Sequence, residues 1–163
     1  MGDLASQLLT RLDERRAQLV VLGQGHVGLP LAMRASAVGF PVVGMDTDPE
    51  RVAALRAGTS YVHDVSEQDL SVALGAGYQP VADAGALDGF DVAVITVPTP
   101  LVDGTPDLSH VEAATRAVAG ALRPGALVVL ESTTYPGTTT ELVRPILEAT
   151  GLVAGRDFFL GYS

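Results

Sequence analysis

The chain has 163 residues, 47% of them hydrophobic, with a mean hydropathy of +0.31, which is enough for one domain with a full core and leaves no disordered tract. A net charge of −9 argues against binding to nucleic acid or to an anionic membrane, because both need a basic face to displace counterions. The absence of cysteine excludes disulfides, thiolate metal sites and a thiol nucleophile within these residues.

In residues 1–17, Leu4, Leu8, Leu9 and Leu12 set against Arg11 and the polar run 13–16 predict an amphipathic packing helix ahead of the first strand. Gln18–Leu22 reads as a buried strand. Gly23-Gln24-Gly25-His26-Val27-Gly28 follows it as G-x-G-x-x-G, and a helix is predicted over Val27–Val38 with Val27, Leu31, Ala35 and Val38 on one side. Pro41–Met45 is the next strand, and Asp48-Pro49-Glu50 supplies an N-cap, a first-turn proline and an acid for a helix over Pro49–Ala57 that ends at Gly58. Ser66 with Asp69 caps a helix running through Leu74, and Gly75 and Gly77 stop it. Tyr78–Ala82 is a short strand and Asp91–Val97 a buried one. Thr96-Val97-Pro98-Thr99-Pro100 then predicts a rigid extended loop. Leu108–Leu122 is a helix ended by Arg123-Pro124-Gly125, and Ala126–Leu130 is a fifth strand. Thr138 with Glu141 predicts a capping box for a helix over Thr139–Ala149, bent by Pro145, and Phe158–Leu160 is a sixth strand. Strands alternating with helices predict an α/β, doubly wound parallel sheet (Rossmann-like), a single domain over residues 1–163, with its ligand at the carboxyl ends of the strands.

The glycine loop carries the functional reading. Gly23 allows the tight turn, Gly25 lets backbone approach a pyrophosphate, and Gly28 lets the helix pack on the strand. The free N–H groups of that helix then face the phosphates. Asp46, at the end of the second strand, suits a ribose diol and would repel the phosphate that NADP carries there, so NAD is the expected cofactor. Asp48 is better explained as the cap. Arg51 is balanced between an adenosine-ribose contact and a solvated helix residue. Glu131-Ser132-Thr133-Thr134-Tyr135-Pro136-Gly137, past the fifth strand, gathers hydroxyls that either orient a water or sugar alcohol or cap a turn. His63 and His110 have no partner at metal-ligand spacing, and no metal is expected.

G-Q-G-H-V-G-L-P-L-A, G-T-S-Y-V, T-V-P-T-P-L, P-D-L-S-H-V, E-S-T-T-Y-P-G-T-T and the closing G-Y-S, in this order, resemble the amino-terminal domain of the UDP-glucose/GDP-mannose dehydrogenase family over essentially the whole chain. The V-P-T-P-L and E-S-T-T-Y-P-G-T-T strings and the leading helix resemble the branch acting on UDP-N-acetyl sugars. The resemblance implies oxidation of the primary alcohol of a nucleotide-linked sugar to a uronate with two NAD, by a homo-oligomer. It places Gly23, Gly25, His26, Val27 and Gly28 around the pyrophosphate, Asp46 and Arg51 at the adenosine ribose, and Val97, Pro98 and Thr99 on the nicotinamide side. Ser132 would also touch cofactor, and Thr133 would hold the catalytic water. His26 and Gln24 depart from the family's usual aromatic and small or apolar residues. For His26 an exposed loop position is favoured over a catalytic base. The family's cysteine, its supporting lysine and its nucleotide-sugar-binding domains would lie beyond Ser163, so the chain is expected to be inactive alone. The longest apolar runs are too short to cross a bilayer and the N-terminus lacks a signal peptide's apolar centre, so a cytoplasmic location is expected. Two rival readings share the glycine loop: a regulatory NAD-sensing module and an S-adenosylmethionine-dependent methyltransferase domain. The first has no reason to contain E-S-T-T-Y-P-G, and a titration of NAD against S-adenosylmethionine separates the second.

Overall fold

In the computed structural model, which describes residues 2–163, the chain runs α1 (Gly2–Asp13), β1 (Leu19–Leu22), α2 (Gly28–Ala37), β2 (Val42–Met45), α3 (Pro49–Arg56), α4 (Glu67–Gly75), β3 (Gln79–Val81) and β4 (Val92–Ile95). It continues through β5 (Leu101–Val102), β6 (Thr105–Pro106), α5 (Ser109–Ala121), β7 (Leu127–Leu130), α6 (Arg144–Glu148) and β8 (Phe159–Tyr162). Strands β1, β2, β4 and β7 carry no charged or hydrogen-bonding side chain, so they are stable only where both faces are covered, which is the setting of a parallel sheet. The observed order is β3-β2-β1-β4-β7-β8, parallel throughout. With the β5–β6 hairpin set aside, this is the doubly wound order. The chain reverses direction across the sheet between β1 and β4, whose last residues Leu22 and Ile95 are in register, so Gly23 and Thr96 leave the sheet side by side.

On one face, Val20, Leu22, Ala93, Ile95, Val128 and Leu130 pack against Val111 and Val118 of α5 and Leu147 of α6. On the other, Val21 and Val42 meet Leu29, Ala32 and Met33 of α2 and Leu70 of α4, while Leu8 of α1 covers Val92 and Val94. Fully buried leucines such as Leu29 and Leu130 each contribute roughly 1.5–3 kcal/mol. At the amino ends of the strands, Asp91 Oδ1 accepts from Arg11 (2.7 Å) and Arg123 (2.6 Å), and its Oδ2 accepts from the Gln18 N–H (2.9 Å). This clasp ties α1 and the turn before β7 to the sheet edge opposite the cleft described below; the expected strand 91–97 is confined to Val92–Ile95, with Asp91 in the clasp at one end and Thr96 bonded to the glycine loop at the other.

Two further expectations are corrected, and one element was not predicted. The buried side of α2 is Gly28, Leu29, Ala32, Met33, Ala35 and Ser36; Val27 is 54% exposed and Val38 37% exposed. Gly28 seats the helix against the glycine loop and so rotates the stripe away from the one predicted. Thr138 forms no capping box, because it is buried with helical backbone and its hydroxyl bonds Thr134 Oγ1 (2.6 Å) and the Tyr135 carbonyl (3.0 Å). The helix begins instead as a π turn over Thr139–Val143, which makes room for Pro145, a residue with no N–H to offer the Glu141 carbonyl. Beyond Pro100, the loop becomes a hairpin turned by Asp103 (φ 51°) and Gly104 (φ 78°). That Asp-Gly pair is a type I′ turn signal, flanked by strands of only two residues each that carry no alternating pattern of burial.

Candidate functional site

The glycine loop is shaped by contacts that leave no room for side chains at two of its three glycines. Gly23 has φ +89°, and a Cβ there would lie 2.7 Å from the Thr96 carbonyl oxygen; a Cβ on Gly28 would overlap the Gly23 carbonyl oxygen and Thr96 Oγ1. Thr96 secures the turn by donating its hydroxyl to the carbonyls of Leu22 (2.8 Å) and Gly23 (2.9 Å). Gly25 differs, because a Cβ there would meet nothing within 4 Å. It faces the open space of a cleft of about 580 Å³ at the carboxyl ends of β1, β2, β4 and β7.

That cleft brings the predicted residues together. Gly23, Gly25, His26 and Val27 line it at the amino end of α2, Asp46 and Arg51 at the end of β2, Val97, Pro98 and Thr99 at the exit of β4, and Ser132 and Thr133 at the exit of β7. Gly28 sits behind the wall as a packing residue rather than on it. Asp46 is buried, and its two oxygens accept from the backbone N–H groups of Gln24 (Oδ2, 2.9 Å) and Asp48 (Oδ1, 3.0 Å). Both carboxylate oxygens are thus held, with lone pairs left for a diol. Asp48 caps α3 as expected, accepting from the Glu50 N–H at 2.9 Å. Arg51 is half exposed, 3.6 Å from Asp46 Oδ2, and its guanidinium lies over the Tyr61 ring at 5.4 Å. The Tyr61 phenol donates to the Gln24 carbonyl (2.7 Å), and its pKa is pushed up to about 12, first by burial and then by the charge of Asp46.

At the opposite end, Ser132 is buried and donates its hydroxyl to the Val97 carbonyl (2.8 Å), while Thr99 Oγ1 donates to the Thr133 carbonyl (2.5 Å). These two bonds fasten the β4 and β7 exits together. The Thr133 side chain is exposed to the cleft. His26 is exposed at the loop, as its sequence reading favours. The sequence reading missed His110, Ala113, Ala114 and Ala117 of α5, which form a wall of the cleft, and Thr47. The small-residue run on α5 was the available signal, since alanines at i and i+4 leave a flat helix face. Among the described residues, no helix is long and apolar enough to cross a membrane.

The geometry fits a dinucleotide: a carboxylate at one end, an unobstructed backbone turn at a helix N-terminus in the middle, and hydroxyl-bearing loops at the other end. The sequence model for the UDP-glucose/GDP-mannose dehydrogenase family, NAD binding domain, matches residues 17–162. The chain is similar to UDP-N-acetyl-D-mannosamine dehydrogenase of Pyrococcus horikoshii, with 37% identity over 90% of this chain and 35% of that protein. It is also similar to UDP-N-acetyl-D-glucosamine 6-dehydrogenase of Pseudomonas aeruginosa, with 36% identity over 90% of this chain and 34% of that protein. The solved structure of UDP-D-ManNAc dehydrogenase from Pyrococcus horikoshii superposes with a TM-score of 0.85 at 36% identity, covering 89% of this chain and 35% of that one. The chain therefore spans about a third of the length of the curated relatives it matches.

Proposed function

Because the chain belongs to the UDP-glucose/GDP-mannose dehydrogenase family as its NAD-binding domain, we propose that it holds NAD for oxidation of a nucleotide sugar, the leading helix expected over residues 1–17 being α1, which ends at Asp13. The substrate class is a UDP-N-acetylglucosamine or UDP-glucose type sugar, whose primary alcohol is taken to the uronate with two NAD. The observation that carries this reading is the one cleft shared by the open turn at Gly25, the fixed carboxylate of Asp46 and the hydroxyl of Thr133.

When bound, NAD supplies the hydride acceptor. The N–H groups at Gly25, His26, Val27 and the start of α2 hold its pyrophosphate, with Gly23 and Gly28 keeping the turn tight. Asp46 accepts from the adenosine ribose, with Arg51 alongside it. Val97, Pro98 and Thr99 wall the nicotinamide side, Ser132 keeps that wall in place and touches the cofactor, and Thr133 orients a water near the reacting carbon. A thiol that traps an aldehyde has to come from outside these residues, since they contain no cysteine. The chain by itself accordingly turns over no nucleotide sugar. The complete enzyme, in this reading, is a cytoplasmic homo-oligomer.

Calorimetric titration tests the cofactor site. The chain is expected to bind NAD more tightly than NADP, and Asp46→Ala should weaken NAD binding by about ten- to a hundredfold, the value of hydrogen bonds to a charged acceptor. Equal affinity of the unmodified chain for both cofactors would refute the role given to Asp46.

A further inference from the structure

Gln24 lies between two glycines of the cofactor loop, yet its side chain is fully buried and does not line the cleft. Its Nε2 donates to the carbonyls of Val21 (2.9 Å) and Gly23 (3.3 Å), and its Oε1 accepts from the Tyr78 hydroxyl (2.7 Å). The two carbonyls fix the orientation of the amide, because the reversed amide would set oxygen against oxygen. Gly44 of β2 makes the space: a Cβ there would lie 2.5 Å from both Gln24 Oε1 and the Tyr78 hydroxyl oxygen. An apolar side chain of similar size could fill this space, but it would leave the Tyr78 hydroxyl unpaired and would not tie residue 24 to the carbonyls of Val21 and Gly23. The backbone of the same residue faces the site, its N–H donating to Asp46 Oδ2 (2.9 Å) and its carbonyl accepting from Tyr61 (2.7 Å).

We propose that Gln24 is a positioning residue for cofactor discrimination: its buried amide anchors the loop so that the Gln24 N–H holds the Asp46 carboxylate facing the cofactor ribose. This rests on the reading of Asp46 as the ribose-binding acid. With Oδ2 on the Gln24 N–H and Oδ1 on the Asp48 N–H, the carboxylate cannot turn aside to admit a 2′-phosphate. Without the amide anchor, the loop N–H is free to shift, Asp46 rotates, and NAD loses its ordered acceptor while NADP meets less repulsion.

The test compares the unmodified chain with Gln24→Met, Gln24→Asn, Tyr78→Phe and the Gln24→Met/Tyr78→Phe pair, measuring the melting temperature and the Kd of NAD and of NADP for each. Tyr78→Phe keeps both Nε2 bonds and should leave the NAD-to-NADP preference as it was. Both Gln24 single variants should lower that preference about tenfold, mainly through weaker NAD binding. The pair should lower it as much even though it leaves no phenol without a partner and melts close to Tyr78→Phe. An unchanged preference in any folded Gln24 variant overturns the proposal and returns Gln24 to packing. Absence of a preference in the unmodified chain overturns the Asp46 reading itself, and the two failures are therefore distinguishable.

Discussion

Two glycines of one motif, three residues apart, should respond to substitution in opposite ways. Gly25 has no positive φ, and a Cβ there meets nothing within 4 Å, so Gly25→Val should change stability by no more than about 1 kcal/mol. The melting temperature of a domain this size then moves by at most about 2–4 °C. The added methyls project into the cleft where backbone N–H groups are to meet the pyrophosphate. Loss of two hydrogen bonds to a charged group, at roughly 1.5–3 kcal/mol each, amounts to about 3–6 kcal/mol, or about 10²- to 10⁴-fold in NAD affinity. Gly28→Ala has the opposite profile. Its Cβ would overlap a backbone carbonyl and a threonine hydroxyl that is itself tied to two carbonyls, so neither neighbour can yield cheaply. A cost of about 3 kcal/mol or more is expected, seen as a melting temperature lower by roughly 6–12 °C. Thermal melts paired with calorimetric NAD titrations measure both quantities. Wild-type NAD affinity in Gly25→Val would place the cofactor elsewhere, and an unchanged melt in Gly28→Ala would mean that the loop is looser than described.

Removal of the Asp91 clasp by Asp91→Ala should cost about 2–3 kcal/mol in chemical denaturation, below the roughly 3–5 kcal/mol of a fully buried pair because Arg11 and Arg123 are 43% and 39% exposed. NAD affinity should stay unchanged, since the clasp is at the opposite sheet edge; a loss in affinity would show that the two edges are coupled. Tyr61 has a folded pKa raised from 10.0 to about 12, so the stability it contributes is whole below pH 10 and declines as pH rises toward 12. Denaturation midpoints across that range should fall more gently in Tyr61→Phe, and parallel curves would count against a phenol held protonated on the Gln24 carbonyl. In the complete enzyme, Thr133→Ala should lower turnover on the order of 10²-fold with little change in NAD affinity. Full activity would make Thr133 a loop hydroxyl and nothing more.

By itself the sequence determined the alternation of strands and helices, because uninterrupted apolar runs and capped amphipathic runs are local signals: Val20–Leu22, the Asp48 and Ser66 caps and the glycine loop were all legible from neighbours within a few residues. It also pointed to a dinucleotide as the ligand, since Gly25 and Asp46 are types that few other purposes require in that spacing. Tertiary structure decided what depends on partners distant in the chain. Which side of α2 is buried follows from Gly28 docking on Gly23 and Thr96, a contact spanning 68 residues that no periodicity encodes. Thr138 lost its cap because burial turned its hydroxyl inward, and Asp91 left the strand pattern to meet Arg11 and Arg123. The amide of Gln24 reaches Tyr78, 54 residues on, through the gap left by Gly44. Hydrogen bonds of that kind form only once the strands are in register, so a linear reading sees a glutamine in a glycine loop, and the folded chain shows what it holds in place.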